Sequence, residues 1–168
     1  MAYDAFMWFE GGSPAIKGET TDKVYSQKNA FEIKSFSVGA TNPTTIGSAT
    51  GGAGAGKVSI SSFQITKPTD AASPTLFLNC CQGTHFDKAH VVLRQAGGKQ
   101  INYLEYDFGQ VYVETIHWSG ASGGDERPME SVNFVFGTIA LKYTPQDSKG
   151  NQGTPIPAGW DITQGVKQ

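Results

Sequence analysis

Apolar positions along the chain recur mostly with a period of two, the mark of β-strands whose successive side chains face opposite ways. Tyr3 to Phe9 is apolar on both parities, which predicts a strand buried on both faces or lying at an interface. Ala30 to Gly39 alternates Phe36 and Val38 with Ser35 and Ser37, giving one dry face and one wet face. Val58 and Ile60 alternate, and Phe63 and Ile65 continue on the opposite parity, so a bulge is expected near Ser61 and Ser62. Ala89, Val91 and Leu93 alternate with His90 and Arg94. A long strand is expected from Ile101 to Trp118, bent at Gly109. Val132, Phe134 and Phe136 share a face before Gly137, Ile139, Leu141 and Tyr143 share another after it, and Trp160 with Ile162 marks a short last strand.

One segment breaks this period. Ser73 is a good N-cap, Pro74 suits the first helical position and Gly83 can close the end left-handed. Leu76, Phe77, Cys80 and Cys81 supply one packed face, so a helix is expected over residues 73–82, outside the sheets or across one end. Between the second and third strands, Thr41 to Gly56 reads as a long Gly, Thr and Ser loop, a length that in compact domains points to function. Asp147 to Pro157 reads as a polar loop. Seven or eight strands with one helix and no fixed repeat predict a mainly β protein, an antiparallel barrel or sandwich.

Composition narrows the class. The chain has 168 residues, enough for one domain over 1–168, with 21 glycines and only 17% charged residues. A net charge of −2 and scattered Lys and Arg argue against nucleic-acid binding. The N-terminus lacks the early basic residues and long apolar run of a signal peptide, and no stretch approaches a membrane span. Cys80 and Cys81 are adjacent, too close for easy bridging, and read as reduced thiols of a cytosolic fold.

Candidate chemistry is weak. Gly51-Gly52-Ala53-Gly54-Ala55-Gly56-Lys57 imitates a phosphate-binding loop, but Val58 stands where Ser or Thr should hold magnesium, and a strand follows where a helix should. His85, His90 and His117 show no metal-ligand spacing. No Gly-x-Ser-x-Gly elbow marks a nucleophile, and Asp125 and Glu126 read as solvated loop carboxylates. No catalytic, cofactor-binding or metal-binding residue is assigned, and none is expected.

Several short stretches, in order along nearly the whole chain, resemble the haemolysin-coregulated protein (Hcp) family of type VI secretion. They are Asp4-Ala5-Phe6-Met7, Lys17-Gly18-Glu19-Thr20-Thr21-Asp22-Lys23, Phe36-Ser37-Val38-Gly39 and Gly54-Ala55-Gly56-Lys57-Val58. Further along come Ser73-Pro74, Gly83-Thr84-His85-Phe86, Arg94-Gln95-Ala96-Gly97-Gly98, Ser122-Gly123-Gly124-Asp125-Glu126-Arg127 and Gly159-Trp160-Asp161-Ile162. Phe36 and Val38 depart from the family's tryptophans, and Gly12-Ser13-Pro14 looks like a small insertion.

The resemblance implies an antiparallel β-barrel of two sheets with one flanking helix, and a structural tail-tube subunit rather than an enzyme. It implies homohexameric rings that stack into a tube inside a contractile sheath, beneath a spike protein, with effector proteins sheltered in the lumen. Such a chain would wait in the bacterial cytoplasm and then be exported, without a cleaved signal and without inserting in a membrane. No toxin domain is expected after the Trp160 strand. The residues singled out are Ser35 and Ser37 for the lumen face. Thr41, Asn42, Pro43, Thr44, Thr45 and Ile46 are singled out for a ring-stacking loop, and Phe6, Met7 and Trp8 for a subunit interface. The alternative is a small-ligand-binding β-barrel unrelated to secretion, which would be a monomer or dimer with a pocket.

Overall fold

The computed structural model describes residues 3–45, 54–124 and 127–168. The elements are β1 (Tyr3–Glu10), β2 (Phe31–Glu32), β3 (Ser35–Ser37), β4 (Ala40–Thr41), β5 (Thr44–Thr45), β6 (Gly54–Ala55), β7 (Ser59–Ile60) and β8 (Phe63–Pro68). After these come α1 (Ser73–Gln82), β9 (His85–Gln95), β10 (Asn102–Ser119), β11 (Met129–Tyr143), β12 (Ile156–Asp161) and β13 (Val166–Lys167). A short 3-10 turn covers Ser26–Lys28. The protein is mainly β, and among the described residues its strand pairs are all antiparallel and one α-helix is present.

The main sheet runs β13-β12-β11-β10-β9-β1-β2. β11 changes partner along its length: residues 129–134 pair with β8, and residues 138–143 pair with β12. The segment expected as one strand over Ala30–Gly39 breaks at Ile33 and Lys34. Its first half pairs with β1 and its second with β8, while the Ile33 N–H bonds to Ala5 O at 3.0 Å and the Lys34 N–H to Thr66 O at 2.8 Å.

Gly137, where the shared apolar face changes parity, lies inside the single strand β11. The face switch from Phe136 to Ile139 is real, because β10 turns over at the same level, where Gln110 takes a φ of +52°. Register is kept across the kink, with Gly109 opposite Thr138 and Val111 opposite Phe136. The two parities in the sequence thus belong to one kinked pair of strands.

The core lies between the curled faces, with Met7, Phe31, Phe63, Ile65, Phe86, Val91, Val132 and Phe134 all buried. A second cluster, Phe6, Trp8, Tyr25, Ala30 and Val92, packs on the other face of β1 and β9. β1 is therefore a central strand covered on both sides, as its two-sided apolar pattern allowed.

α1 has the expected span, and Gly83 closes it at φ +64°. Two details differ. Ala72 occupies the N-cap without a side-chain bond, and the Ser73 hydroxyl accepts the Asp70 N–H instead at 2.9 Å. The packed face is Leu76 and the half-buried Cys80, as expected, together with Asn79, which donates to Pro14 O at 3.1 Å and to Thr75 O at 2.8 Å, while Phe77 and Cys81 are exposed.

Candidate assembly surfaces

The motif residues meet in pairs that lock the fold. Asp22 Oδ1 accepts the N–H groups of Val24 and Tyr25 at 2.9 and 3.0 Å. Its other oxygen takes a 2.6 Å bond from the Arg94 guanidinium, which also stacks against Phe6 and Tyr25. Burial pushes the Asp22 carboxyl up, but the bonds from Arg94, Tyr25 and Val24 outweigh it and hold the pKa below its ordinary value. Gly18 passes so close to the Ala30 carbonyl that a Cβ would lie 2.2 Å from its oxygen. Arg127 reaches Glu19 at 2.5 Å. Residues far apart in sequence thus pin the 17–30 segment over β1, and their role is positional.

Lys67 and Glu130 form a second lock, both fully buried. Lys67 Nζ bonds to Asp70 at 2.6 Å, Glu130 at 2.8 Å and Pro68 O at 3.0 Å, and the Trp118 indole donates to the other Glu130 oxygen at 2.8 Å. The network joins β8, β11, β10 and the start of α1. Among the described residues no group of three or more His, Cys, Asp or Glu could hold a metal ion.

Ser35 and Ser37 sit on the exposed side of β3, with Phe36 turned to the core. The register extends their face across three more strands. Ser35, Thr66, Ser131 and His117 form one row, and Ser37, Gln64, Asn133 and Thr115 form the next. Ser35 and Thr66 hydroxyls meet at 2.6 Å, and Gln64 donates to Ser131 at 3.1 Å. Neither row contains a carboxylate, Lys or Arg. Sequence reasoning found only the two serines, because the other six belong to strands whose alignment with β3 is set by tertiary pairing.

The predicted loop after residue 40 is ordered at its base. Ala40 pairs with Ile60, Thr41 with Ser59, Thr44 with Ala55 and Thr45 with Gly54, so its described part is a narrow two-stranded arm. Thr41, Asn42, Pro43 and Thr44 are exposed; Ile46 lies outside the described residues. Gly56 donates to Pro43 O at 3.1 Å, and a Cβ there would stand 2.4 Å from that oxygen. The phosphate-loop lookalike lies partly outside the described residues, and its end runs into β6 and β7.

Phe6, Met7 and Trp8, expected at a subunit interface, are only 2%, 0% and 9% exposed within the single chain. They have almost no surface to offer a partner, since the 22–30 segment and the core already cover them. Open apolar surface lies elsewhere, including the inner face of β11 and β12 beyond residue 138. There Leu141, Tyr143 and Ile156 are exposed.

A family profile described as "Type VI secretion system effector, Hcp" matches residues 6–143. The chain belongs to the Hcp family. Hcp proteins are structural tube proteins of type VI secretion, not enzymes. Protein Hcp1 of Pseudomonas aeruginosa is 34% identical over 113 residues, covering 66% of this chain and 69% of that protein. A solved structure described as a type six secretion system protein superposes with a TM-score of 0.91 at 32% identity, covering 99% of this chain and all of the other. Hcp1 from Salmonella typhimurium superposes with a TM-score of 0.78 at 30% identity over the whole of both chains. Hcp is a secreted protein of this system, and no helix among the described residues is long and apolar enough to cross a membrane. Family membership does not favour the ligand-binding barrel.

Proposed function

We propose that this chain is the repeating subunit of a tail tube: six copies close into a ring, rings stack, and the tube is exported with effector proteins in its lumen. The family match over residues 6–143 carries this reading. In it, residues 1–168 act as one domain whose sheet wraps into a closed barrel. The break at Ile33 and Lys34 supports closure, because it hands one stretch of chain from β1 to β8.

The two uncharged rows that start at Ser35 and Ser37 are the proposed lumen wall. Hydroxyl and amide groups bond modestly to a passing protein surface and release it, since each such bond nets about 0.5–1.5 kcal/mol. The stretch Thr41, Asn42, Pro43, Thr44, Thr45 and Ile46, which begins on the arm, is the proposed contact between rings. Gly56 lets the two sides of the arm's base close on each other, because a Cβ there would strike the Pro43 oxygen. Phe6, Met7 and Trp8 support the subunit interface from beneath. The sheath outside, the spike ahead and the effectors inside are the proposed partners, with the chain cytoplasmic before firing and extracellular after it.

Light scattering on the full chain after size exclusion tests the ring. Six copies of 17.9 kDa are expected; a single copy at high concentration would remove the tube function. Within the ring, Ser37→Gln is expected to weaken effector retention while the ring mass stays unchanged, and undiminished retention would remove the lumen assignment.

A further inference from the structure

Beside the two rows of hydroxyl and amide groups, the same face carries one carboxylate, and the register shows how it comes to lie there. β10 and β11 lose step between Val113 and Thr115, so Glu114 is the extra residue of a β-bulge. A bulge turns successive side chains toward one face, and Glu114 and Thr115 are both exposed. The carbonyl of the extra residue accepts the Cys80 thiol of α1 at 3.7 Å, which ties the bulge to the helix.

The Glu114 side chain then reaches sideways. Its Oε2 accepts the Ser62 hydroxyl at 2.6 Å, and Ser62 stands just before β8. β11 runs between β8 and β10. Two strand spacings, roughly 10 Å, separate the outer pair, so the carboxylate is laid over β11. Ser62 is its one hydrogen-bond partner among the described residues. Nearby, Tyr112 of β10 pairs with Val135 of β11, and the two are 42% and 37% exposed. Tyr112 precedes Glu114 by two residues on the same exposed face. The outward positions of β3, β8, β10 from Tyr112 onward and β11 up to Val135 include no Lys or Arg.

We propose that this third row, Glu114 with Tyr112 and Val135, selects cargo by taking an Arg side chain from a basic effector surface. The proposal rests on the lumen reading above and names the chemistry of what the lumen holds. A guanidinium fits because it donates to the second carboxylate oxygen while its plane lies against the Tyr112 ring. Charge-assisted bonds are roughly twice as strong as those the neutral rows offer, so this row discriminates where those rows only hold. In a ring, six such carboxylates face one axis with no Lys or Arg beside them on these strands. Their summed field draws in a cationic surface and turns away an acidic one.

Fluorescence anisotropy on the assembled full chain tests the assignment. The probes are a labelled Arg–Ser repeat peptide and the matching Glu–Ser peptide, and light scattering on the same samples reads the ring mass. The wild type is expected to bind the Arg–Ser peptide about ten-fold tighter than the Glu–Ser peptide. Glu114→Gln, which keeps an acceptor for Ser62, should lose most of that preference at unchanged ring mass, and Glu114→Lys should reverse it. Glu10→Gln, which removes an exposed carboxylate at the end of β1, should keep the preference within about two-fold of the wild type. Rings of full mass that bind the two peptides alike would overturn the cargo chemistry and leave the ring standing. A loss in Glu10→Gln equal to that in Glu114→Gln would overturn it too, since net charge and not this row would then be the cause. A wild type of single-copy mass would overturn the ring and, with it, this reading.

Discussion

Lys67 carries a charge in the driest part of the molecule, and its partners make that tolerable. Removing it as Lys67→Met leaves Glu130 buried without its cation, and breaking such a pair costs about 3–5 kcal/mol. The double variant Lys67→Met/Glu130→Leu is expected to recover much of that loss, because a buried pair replaced by apolar groups of similar volume is often neutral. Urea denaturation of the two proteins measures the difference, and equal losses would mean the pair is not the source. His90 makes a different prediction. Its ring nitrogens lie 2.5 Å from Asp107 and 2.9 Å from Glu10, both acceptors, so only the imidazolium can donate to both. The bond to Asp107 raises the His90 pKa above its ordinary value against the opposing effect of burial, and the bond to His90 lowers that of Asp107. These are two ends of one interaction. A raised histidine pKa stabilises fully below the unfolded value near 6.5 and loses that stability as pH rises through the folded value. A lowered aspartate pKa stabilises above the unfolded value near 3.9 and loses that as pH falls through the folded value. The clamp is thus complete from about pH 4 to 6.5. Between pH 6 and 9 the melting temperature of the wild type should fall more than that of His90→Gln; parallel curves would refute the clamp.

At the scale of elements, the 17–30 segment depends on one glycine. A Cβ on Gly18 would meet the Ala30 oxygen at 2.2 Å and the Phe31 nitrogen at 2.6 Å, both backbone atoms that cannot turn aside. Gly18→Ala is expected to cost about 1–3 kcal/mol by forcing the segment off β1, read in a urea melt, and a change within error would show that the crossing relaxes freely. This glycine was legible in the sequence only as part of a motif; its reason is the Ala30–Phe31 backbone twelve residues on, which folds back against it. The same division holds elsewhere. The alternation of Ala89, Val91 and Leu93 placed β9, and Pro74 with Gly83 placed α1, because these signals act within a few residues. The break at Ile33 and Lys34 was not legible, since it follows from which strand lies beside each half. Ser73 looked like a cap by residue type, yet a nearby Asp70 N–H claimed its hydroxyl. The change of apolar parity across Gly137 was legible, but a single sequence cannot show that the partner strand kinks at the same level. Of the proposed lumen face, two serines could be read directly and six residues needed the register.

On the scale of the whole molecule, charge is distributed unevenly over the sheet. Outward positions of β1, β9, β10 and the second half of β11 include Glu10, Lys88, His90, Arg94, Glu105, Asp107 and Lys142, and Lys142 is paired with Glu105. The face that begins at Ser35 carries none in its two rows. A ring gives this asymmetry a consequence. If the uncharged face lines a lumen, one substitution there aims six like charges at a common axis. On an outer surface, the same six would point apart into water. Asn133→Asp and Gln64→Glu together should therefore weaken ring assembly at low salt, with recovery toward the wild-type mass near 1 M salt, where the screening length shrinks to about 3 Å. Placing the same two charges outside, as Ala140→Glu with Thr138→Glu, should leave the salt dependence near that of the wild type. Light scattering across a salt series reads both. Equal salt dependence in the two variants would mean that the Ser35 face does not converge on an axis, and the lumen would have to be sought on another side of the sheet.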